Sequence, residues 1–176
     1  LEIDGVEQGP EYTHVFSSPG EHVVKVYLND RLSEGYNIFR DCSNLVNVEL
    51  GKNVKTFGSN PFCKCSSLSQ ITIHPNNTFI DFGDNILYTT TEDNSLVSYM
   101  ISNTQTSYTI PSYIKTININ AFGMETDLIS ITIPNSVENI KEYPFLRCKK
   151  LVDLIISEDH QYYKVEDNIL STKHTY

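Results

Sequence analysis

The sequence is poor in basic residues and contains no tryptophan. Its 176 residues include 13 Lys and Arg against 22 Asp and Glu, for a formal net charge of -9. A chain with this excess of negative charge repels phosphate backbones unless a local basic patch overcomes the field. The densest basic group, within residues 141–150, is diluted by Glu142. The composition therefore argues against nucleic acid as a partner.

Long apolar runs are also missing, and the chain does not begin with Met. No run approaches the roughly 20 residues that a membrane-spanning helix needs, and the opening residues do not resemble a signal peptide. The sequence predicts no membrane span in this segment, and we expect it to be part of a larger or processed protein. The remaining composition, 39% apolar and 20% charged, is typical of a folded, soluble, β-rich chain.

A 23-residue repeat organises the sequence from Phe39 onward. This spacing separates Phe39 from Phe62 and Phe122 from Phe145, and the aliphatic positions between them recur in phase. A second period of 83 residues relates the first pair to the second pair. It comprises two coils of 23 residues and one long coil of 37, which carries about 14 extra residues. Self-similarity at a fixed period is the signature of a solenoid.

Each coil contains one short segment in which apolar and polar residues alternate, as at residues 71–73 and 131–133. This alternation predicts a strand with one buried face, and a proline shortly after the strand ends it in three coils. The predicted fold class is mainly β: a right-handed solenoid with short strands stacked in a sheet. It spans residues 36–176 in about five coils, the last of them incomplete.

Residues 1–35 lack the repeat and are predicted to form an N-terminal β-hairpin cap. Residues 21–28 alternate well, and a Ser-Ser-Pro-Gly turn separates them from another apolar stretch at residues 12–16. A hairpin at this end would cover the open edge of the first coil.

The cysteines and histidines are interpreted as structural. Cys42, Cys65 and Cys148 each lie three residues before the leucine of their coil, where a small apolar side chain packs well. A Cys42–Cys65 disulfide stays open as an alternative, because stacked coils could bring the pair within about 7 Å. We expect Cys63, which lies outside this pattern, to be exposed. The five histidines show no ligand spacing, so we expect solvated loop residues.

The spacing Phe-x-x-Cys-x-x-Leu-x-x-Ile-x-Ile at residues 62–73 resembles the BspA-like class of leucine-rich repeats, as do residues 131–140. The resemblance covers residues 36–170. Two positions depart from it, since Asn77 replaces an apolar residue and Glu125 replaces the cysteine. Members of that family are typically surface-exposed or secreted proteins that adhere to host proteins or other cells. The resemblance therefore implies a leucine-rich-repeat solenoid, an extracellular or cell-surface location and an adhesion role.

The outward residues of the predicted strands form the candidate binding site. If all five strands stack in one ladder, these side chains make a polar face suited to extended contacts with protein or glycan. Glu49 and Asp153 would then lie about 19 Å apart at roughly 4.8 Å per strand, beyond the roughly 5–9.5 Å of glycosidase carboxylate pairs. The candidate contact residues are Asn47, Glu49, Gln70, Thr72, Ser107, Thr109, Ser130, Thr132 and Asp153.

Three functions remain open at this point. A non-catalytic binding or adhesion module is favoured, followed by a structural spacer of a larger surface protein. A polysaccharide-active solenoid enzyme is the third, and it would need a cleft of ionisable groups elsewhere, for example around residues 81–100. No catalytic residue, cofactor or metal ligand is predicted.

Overall fold

The computed structural model describes residues 2–7, 17–25, 39–100, 105–123 and 127–173, and these ranges contain strands and turns without a helix. The strands are β1 (Glu2–Ile3), β2 (Val6–Glu7), β3 (Val24–Lys25), β4 (Asn47–Leu50), β5 (Gln70–Ile73), β6 (Ile80–Gly83), β7 (Ile86–Thr89), β8 (Ser95–Tyr99), β9 (Ser107–Thr109), β10 (Thr116–Ile117), β11 (Ser130–Ile133), β12 (Asn139–Ile140), β13 (Asp153–Ile156), β14 (Tyr163–Glu166) and β15 (Ile169–Thr172).

Parallel pairing between successive coils confirms the predicted solenoid. Strand β4 pairs with β5, while β9, β11 and β13 form a three-stranded parallel sheet. The register is that of the repeat, since Ile131 lies opposite Tyr108 on one side and Leu154 on the other. The chain thus makes about four turns between its five ladder strands. Stacking is required because one coil cannot bury its own apolar residues.

The predicted ladder is wrong in one respect, because it is not continuous. Strands β5 and β9 do not pair, so the five strands divide into a sheet of two and a sheet of three. The break coincides with the long coil. Its extra residues form the antiparallel strands β6, β7 and β8, and β8 then pairs in parallel with β10 and β10 with β12.

A two-residue turn joins β6 to β7 in the long coil. Its two residues, Asp84 and Asn85, have φ values of 50° and 63°, a left-handed conformation that Asp and Asn tolerate better than most residues. The corresponding turn in the next superunit places Asn168 at the outer edge of β13. There its amide donates to the Val152 carbonyl and its Oδ1 accepts from Leu154 N–H. The Asp167–Asn168 turn therefore occupies the place of a next strand beside β13.

The core consists of two hydrophobic clusters that meet at the long coil. The Phe39 and Phe62 rings stack at 5.4 Å, and Phe122 and Phe145 lie 5.5 Å apart. Tyr99 of the long coil stacks on Phe122 at 5.3 Å. The repeat positions therefore pack as two phenylalanine pairs, with a tyrosine against the second.

Two polar residues at equivalent positions of the repeat accept hydrogen bonds from backbone N–H groups in the turn that follows a ladder strand. Asn77 Oδ1 accepts hydrogen bonds from the backbone N–H groups of Phe79 and Ile80, at 2.8 and 3.2 Å. Its amide donates to the carbonyls of Gly51 and Val54 in the preceding coil. The polar departure from the repeat at Asn77 is thus explained, because its side chain satisfies backbone groups that an apolar residue would leave unpaired.

His160 lies 83 residues after Asn77 and binds the equivalent backbone N–H groups through its imidazole ring. Its Nδ1 accepts from the N–H groups of Tyr162 and Tyr163, both at 3.2 Å. The residue is 1% exposed, so the expectation of a solvated histidine is wrong here. Burial lowers the pKa of His160 below its usual value, against a smaller opposing effect of the Pro134 carbonyl. His14 and His174 lie outside the described residues.

Two of the three cysteines at the repeat position are hydrogen-bond donors, whereas Cys42 is exposed and not packed as predicted. The Cys65 thiol donates to the Phe39 carbonyl and the Cys148 thiol to the Phe122 carbonyl, both at 3.0 Å. The four cysteines all lie in the described residues and form no disulfide, so the disulfide alternative is not realised in this structure. Burial raises the pKa of Cys65 to about 11, which keeps the thiol protonated as a donor. Cys63 is fully buried rather than exposed.

The described part of the N-terminal segment contains a hairpin at a different place from the predicted one. β1 and β2 pair across Asp4 and Gly5, both with positive φ, as a type I′ turn requires. β3 pairs with the other edge of β1. The predicted partner strand at residues 12–16 lies outside the described residues, as does the boundary near residue 36, and the capping role stays a prediction. The Asp-Gly pair was the sequence signal for the observed hairpin.

Replacing Phe122 by Ala tests the stacked core. Phe122 is 1% exposed and contacts rings from two coils, so Phe122→Ala should lower the free energy of unfolding by about 3–5 kcal/mol. Chemical denaturation measures this. Leu146→Ala, at a 39% exposed position, is the control. A loss below about 1 kcal/mol for Phe122→Ala would contradict the packing.

Replacing His160 by Asn, the residue found at the equivalent position 77, tests the hydrogen bonds that hold the turn after β13. Because the folded pKa of His160 is lowered from 6.5, its contribution to stability is full above that value and is lost as the pH falls through the folded pKa. His160→Asn should retain the turn and flatten the fall in unfolding temperature between about pH 7.5 and 5. His74→Asn, at an exposed position, should leave the slope as it is. Equal slopes for His160→Asn and the unmodified chain would refute this role.

Candidate binding face and groove

The three-stranded sheet presents polar side chains in two rows. Ser107, Ser130 and Asp153 are register partners and form one row. Thr109 and Thr132 begin the second row, which ends in an exposed Ile155. The side chains between these rows point into the core. The sheet therefore holds its hydroxyl groups at fixed positions on a backbone whose opposite face is packed.

The two-stranded sheet carries the other four predicted contact residues. Asn47 lies opposite Gln70, and Glu49 opposite Thr72, and all four are exposed. The structure thus assembles the nine predicted residues on two sheets rather than one. Glu49 and Asp153 belong to different sheets, so the separation of about 19 Å expected from a continuous ladder at roughly 4.8 Å per strand does not apply.

An open groove of about 420 Å³ lies along β9 at the break between the sheets. The lining residues come from the β6–β7 turn and from β9 with its flanks, and they are Asp84, Asn85, Gln105, Ser107, Tyr108, Thr109 and Pro111. Two of the predicted contact residues, Ser107 and Thr109, therefore belong to the groove as well as to the face. The groove itself was not predicted, because it depends on where the inserted residues fold.

Tyrosine hydroxyl groups hold the turn against β9. The Tyr108 hydroxyl donates to the Asp84 backbone carbonyl at 2.7 Å, and the Tyr113 hydroxyl donates to Asp84 Oδ2 at 3.0 Å. The Tyr88 and Tyr113 rings lie 5.0 Å apart. Burial raises the pKa of all three phenols, with nearby Asp81 or Asp84 as a further cause. The hydroxyls therefore stay protonated and donate.

Within the described ranges, no group of three His, Cys, Asp or Glu side chains is placed to hold a metal ion. Those ranges also contain no helix long and apolar enough to cross a membrane.

These features define the class of protein: a leucine-rich-repeat solenoid with parallel ladder strands on one side of its coils. The sequence model of the BspA-type leucine-rich repeat matches residues 16–98 and 94–172, in six copies. The chain therefore belongs to the BspA-type leucine-rich-repeat family. A comparison with curated proteins found no match.

The chain is also similar to solved structures. A leucine-rich cell surface protein from Faecalibacterium prausnitzii is similar, with 27% identity over 64% of the chain and a TM-score of 0.53. A leucine-rich-repeat protein from Eubacterium ventriosum shows 22% identity over 65% of the chain and 37% of its own, with a TM-score of 0.47. The pneumococcal vaccine antigen PcpA shows 19% over 71% of the chain and 44% of its own, with a TM-score of 0.45. The chain spans 30% of the length of the first.

Removing the Tyr108 hydroxyl tests the anchoring of the groove. Tyr108→Phe leaves the ring in the core and deletes the bond to the Asp84 carbonyl, so the free energy of unfolding should fall by about 1 kcal/mol. Hydrogen exchange at the turn amides should also become faster. The control is Tyr143→Phe, at a 67% exposed position. Unchanged stability and exchange in Tyr108→Phe would show that the hydroxyl does not hold the turn.

Proposed function

We propose that this chain is a non-catalytic binding or adhesion module of a cell-surface or secreted protein, which recognises protein or glycan through its exposed strand face. The observation that carries the proposal is the alignment of Ser107, Ser130 and Asp153, and of Thr109 and Thr132, in register across one sheet. Family membership supports it, because BspA-type repeats are found in surface proteins.

Rigidity makes such a face suitable for recognition. The inward residues Tyr108, Ile131 and Ile133 are at most 8% exposed, so the sheet cannot shift without disturbing the core. Side chains held in place lose less conformational entropy on binding than side chains on a loose loop. Hydroxyl groups both donate and accept hydrogen bonds, and they suit backbone amides and sugar hydroxyls alike.

The negative charge of the strand face and of the whole chain indicates which class of partner binds. The face carries Glu49 and Asp153 and no basic residue among its nine positions, and the net charge of the chain is -9. A neutral glycan or a basic protein surface is therefore favoured over an anionic partner.

A structural spacer of a larger surface protein is the second candidate, since a segment of stacked repeats can hold other domains apart. A polysaccharide-active enzyme is the third. It would need paired carboxylates in a cleft, whereas the described lining of the β9 groove includes one carboxylate, Asp84.

Changing the central strand separates these functions. In Ser130→Ala with Thr132→Val, the β11 backbone and the core stay intact while two hydroxyls leave the face. We expect at least an about tenfold loss of affinity for the ligands that the unmodified chain retains on a glycan array and on a panel of purified extracellular matrix proteins.

Thr172→Val is the matched control, because Thr172 is an exposed strand threonine outside the ladder. It should bind as the unmodified chain does. Equal binding by the double variant would count against the strand face, and no binding by the unmodified chain on either array would favour the spacer.

A further inference from the structure

Strand β9 has one paired edge and one open edge. It lies at the end of its sheet, next to β11. Ser130 N–H donates to the Thr106 carbonyl at 3.1 Å, and Ile110 N–H donates to the Thr132 carbonyl at 3.0 Å. Successive residues of a parallel strand direct their backbone groups to alternate sides. The N–H and C=O groups of Ser107 and Thr109 are therefore directed away from β11.

Those backbone groups face the groove. Ser107 and Thr109 both line it, and among the described residues no hydrogen-bond partner is found for their N–H or C=O groups. The outer edge of β13 provides the contrast, because the Asn168 side chain occupies it. An uncovered edge is a template for another strand. In β9 this template runs along the length of a groove.

The charge and shape of the groove indicate which strand it would accept. Asp84 supplies the charged carboxylate of the lining, and no basic residue accompanies it among the residues that line the groove. Tyr113, whose hydroxyl binds Asp84, is 37% exposed and packs on Tyr88. A cation placed near a carboxylate and a tyrosine ring gains Coulomb and cation–π attraction. A segment with Lys or Arg fits these groups.

We propose that the open edge of β9 binds an extended, basic peptide segment of a partner protein, which joins the β13-β11-β9 sheet as a fourth strand. Backbone hydrogen bonds to Ser107 and Thr109 provide the affinity, and a basic side chain lies near Asp84. Strand addition to an exposed sheet edge is a recurring mode of peptide recognition. The inference rests on the proposed binding role and specifies a partner for one edge of the same sheet.

The test uses a synthetic heptapeptide of alternating threonine and valine with a lysine at each end, titrated by isothermal calorimetry. Thr109→Pro removes the outward N–H without removing a bond to β11, since proline is tolerated on an edge strand. It should lower the affinity at least about tenfold. Thr109→Val keeps the N–H and removes only the hydroxyl, and it should change the affinity less than about twofold.

Two peptide controls leave the protein untouched, so they apply even if Thr109→Pro folds poorly. A backbone N-methylated peptide should bind at least about tenfold more weakly, and so should a peptide with glutamates in place of the lysines. Binding of the parent peptide should also slow hydrogen exchange at the amides of Ser107 and Thr109. Strand addition is overturned if the parent peptide does not bind, or if N-methylation and Thr109→Pro leave its affinity unchanged.

The Ser130→Ala and Thr132→Val double variant distinguishes this result from failure of the proposed function. Its β11 backbone is paired on both sides, so it should bind the peptide normally while losing ligands of the face. The peptide could instead bind the double variant more weakly and Thr109→Pro as tightly as the unmodified chain. That result would place recognition on the strand face and would refute binding to the edge of β9.

Discussion

The structure depends on the stacking of coils that cannot stand alone. Each coil contributes one short ladder strand and a few large apolar residues, and these become buried only when the next coil covers them. The 23-residue interval between Val48 and Ile71, and again between Ile131 and Leu154, keeps strand opposite strand and apolar residue above apolar residue. Once that register is set, alternation along each strand directs the remaining side chains outward, where they form the candidate binding face.

Stacking also requires that backbone groups between ladder strands find partners, and side chains of the repeat provide them. Asn77 and His160 satisfy equivalent N–H groups with different chemistry. The thiols of Cys65 and Cys148 donate to equivalent carbonyls. The 2% exposed Asn60 joins two coils by donating to the Gly123 carbonyl while accepting from the Ser98 hydroxyl, both at 2.8 Å. Polar positions that look like departures from an apolar repeat are thus part of the same architecture.

The long coil departs from the regular repeat of the solenoid. Its extra residues fold into antiparallel strands, and their turn at Asp84 and Asn85 lies against β9. The parallel ladder is interrupted between β5 and β9, the ladder strands before and after this insertion. Among the described residues, the insertion thus coincides with an edge of β9 that no strand covers and with the groove beside it.

The sequence by itself determined the coil length, the ladder strands and their buried faces, because these follow from local alternation and from a period that recurs without gaps. It also placed Ser107, Thr109, Ser130, Thr132 and Asp153 on one face, since register follows from the same period. Only the tertiary structure decided that β5 and β9 separate, that Cys63 and His160 are buried, and that β1 pairs with β3. These features depend on contacts between distant segments, and residue spacing within a coil carries no information about such contacts.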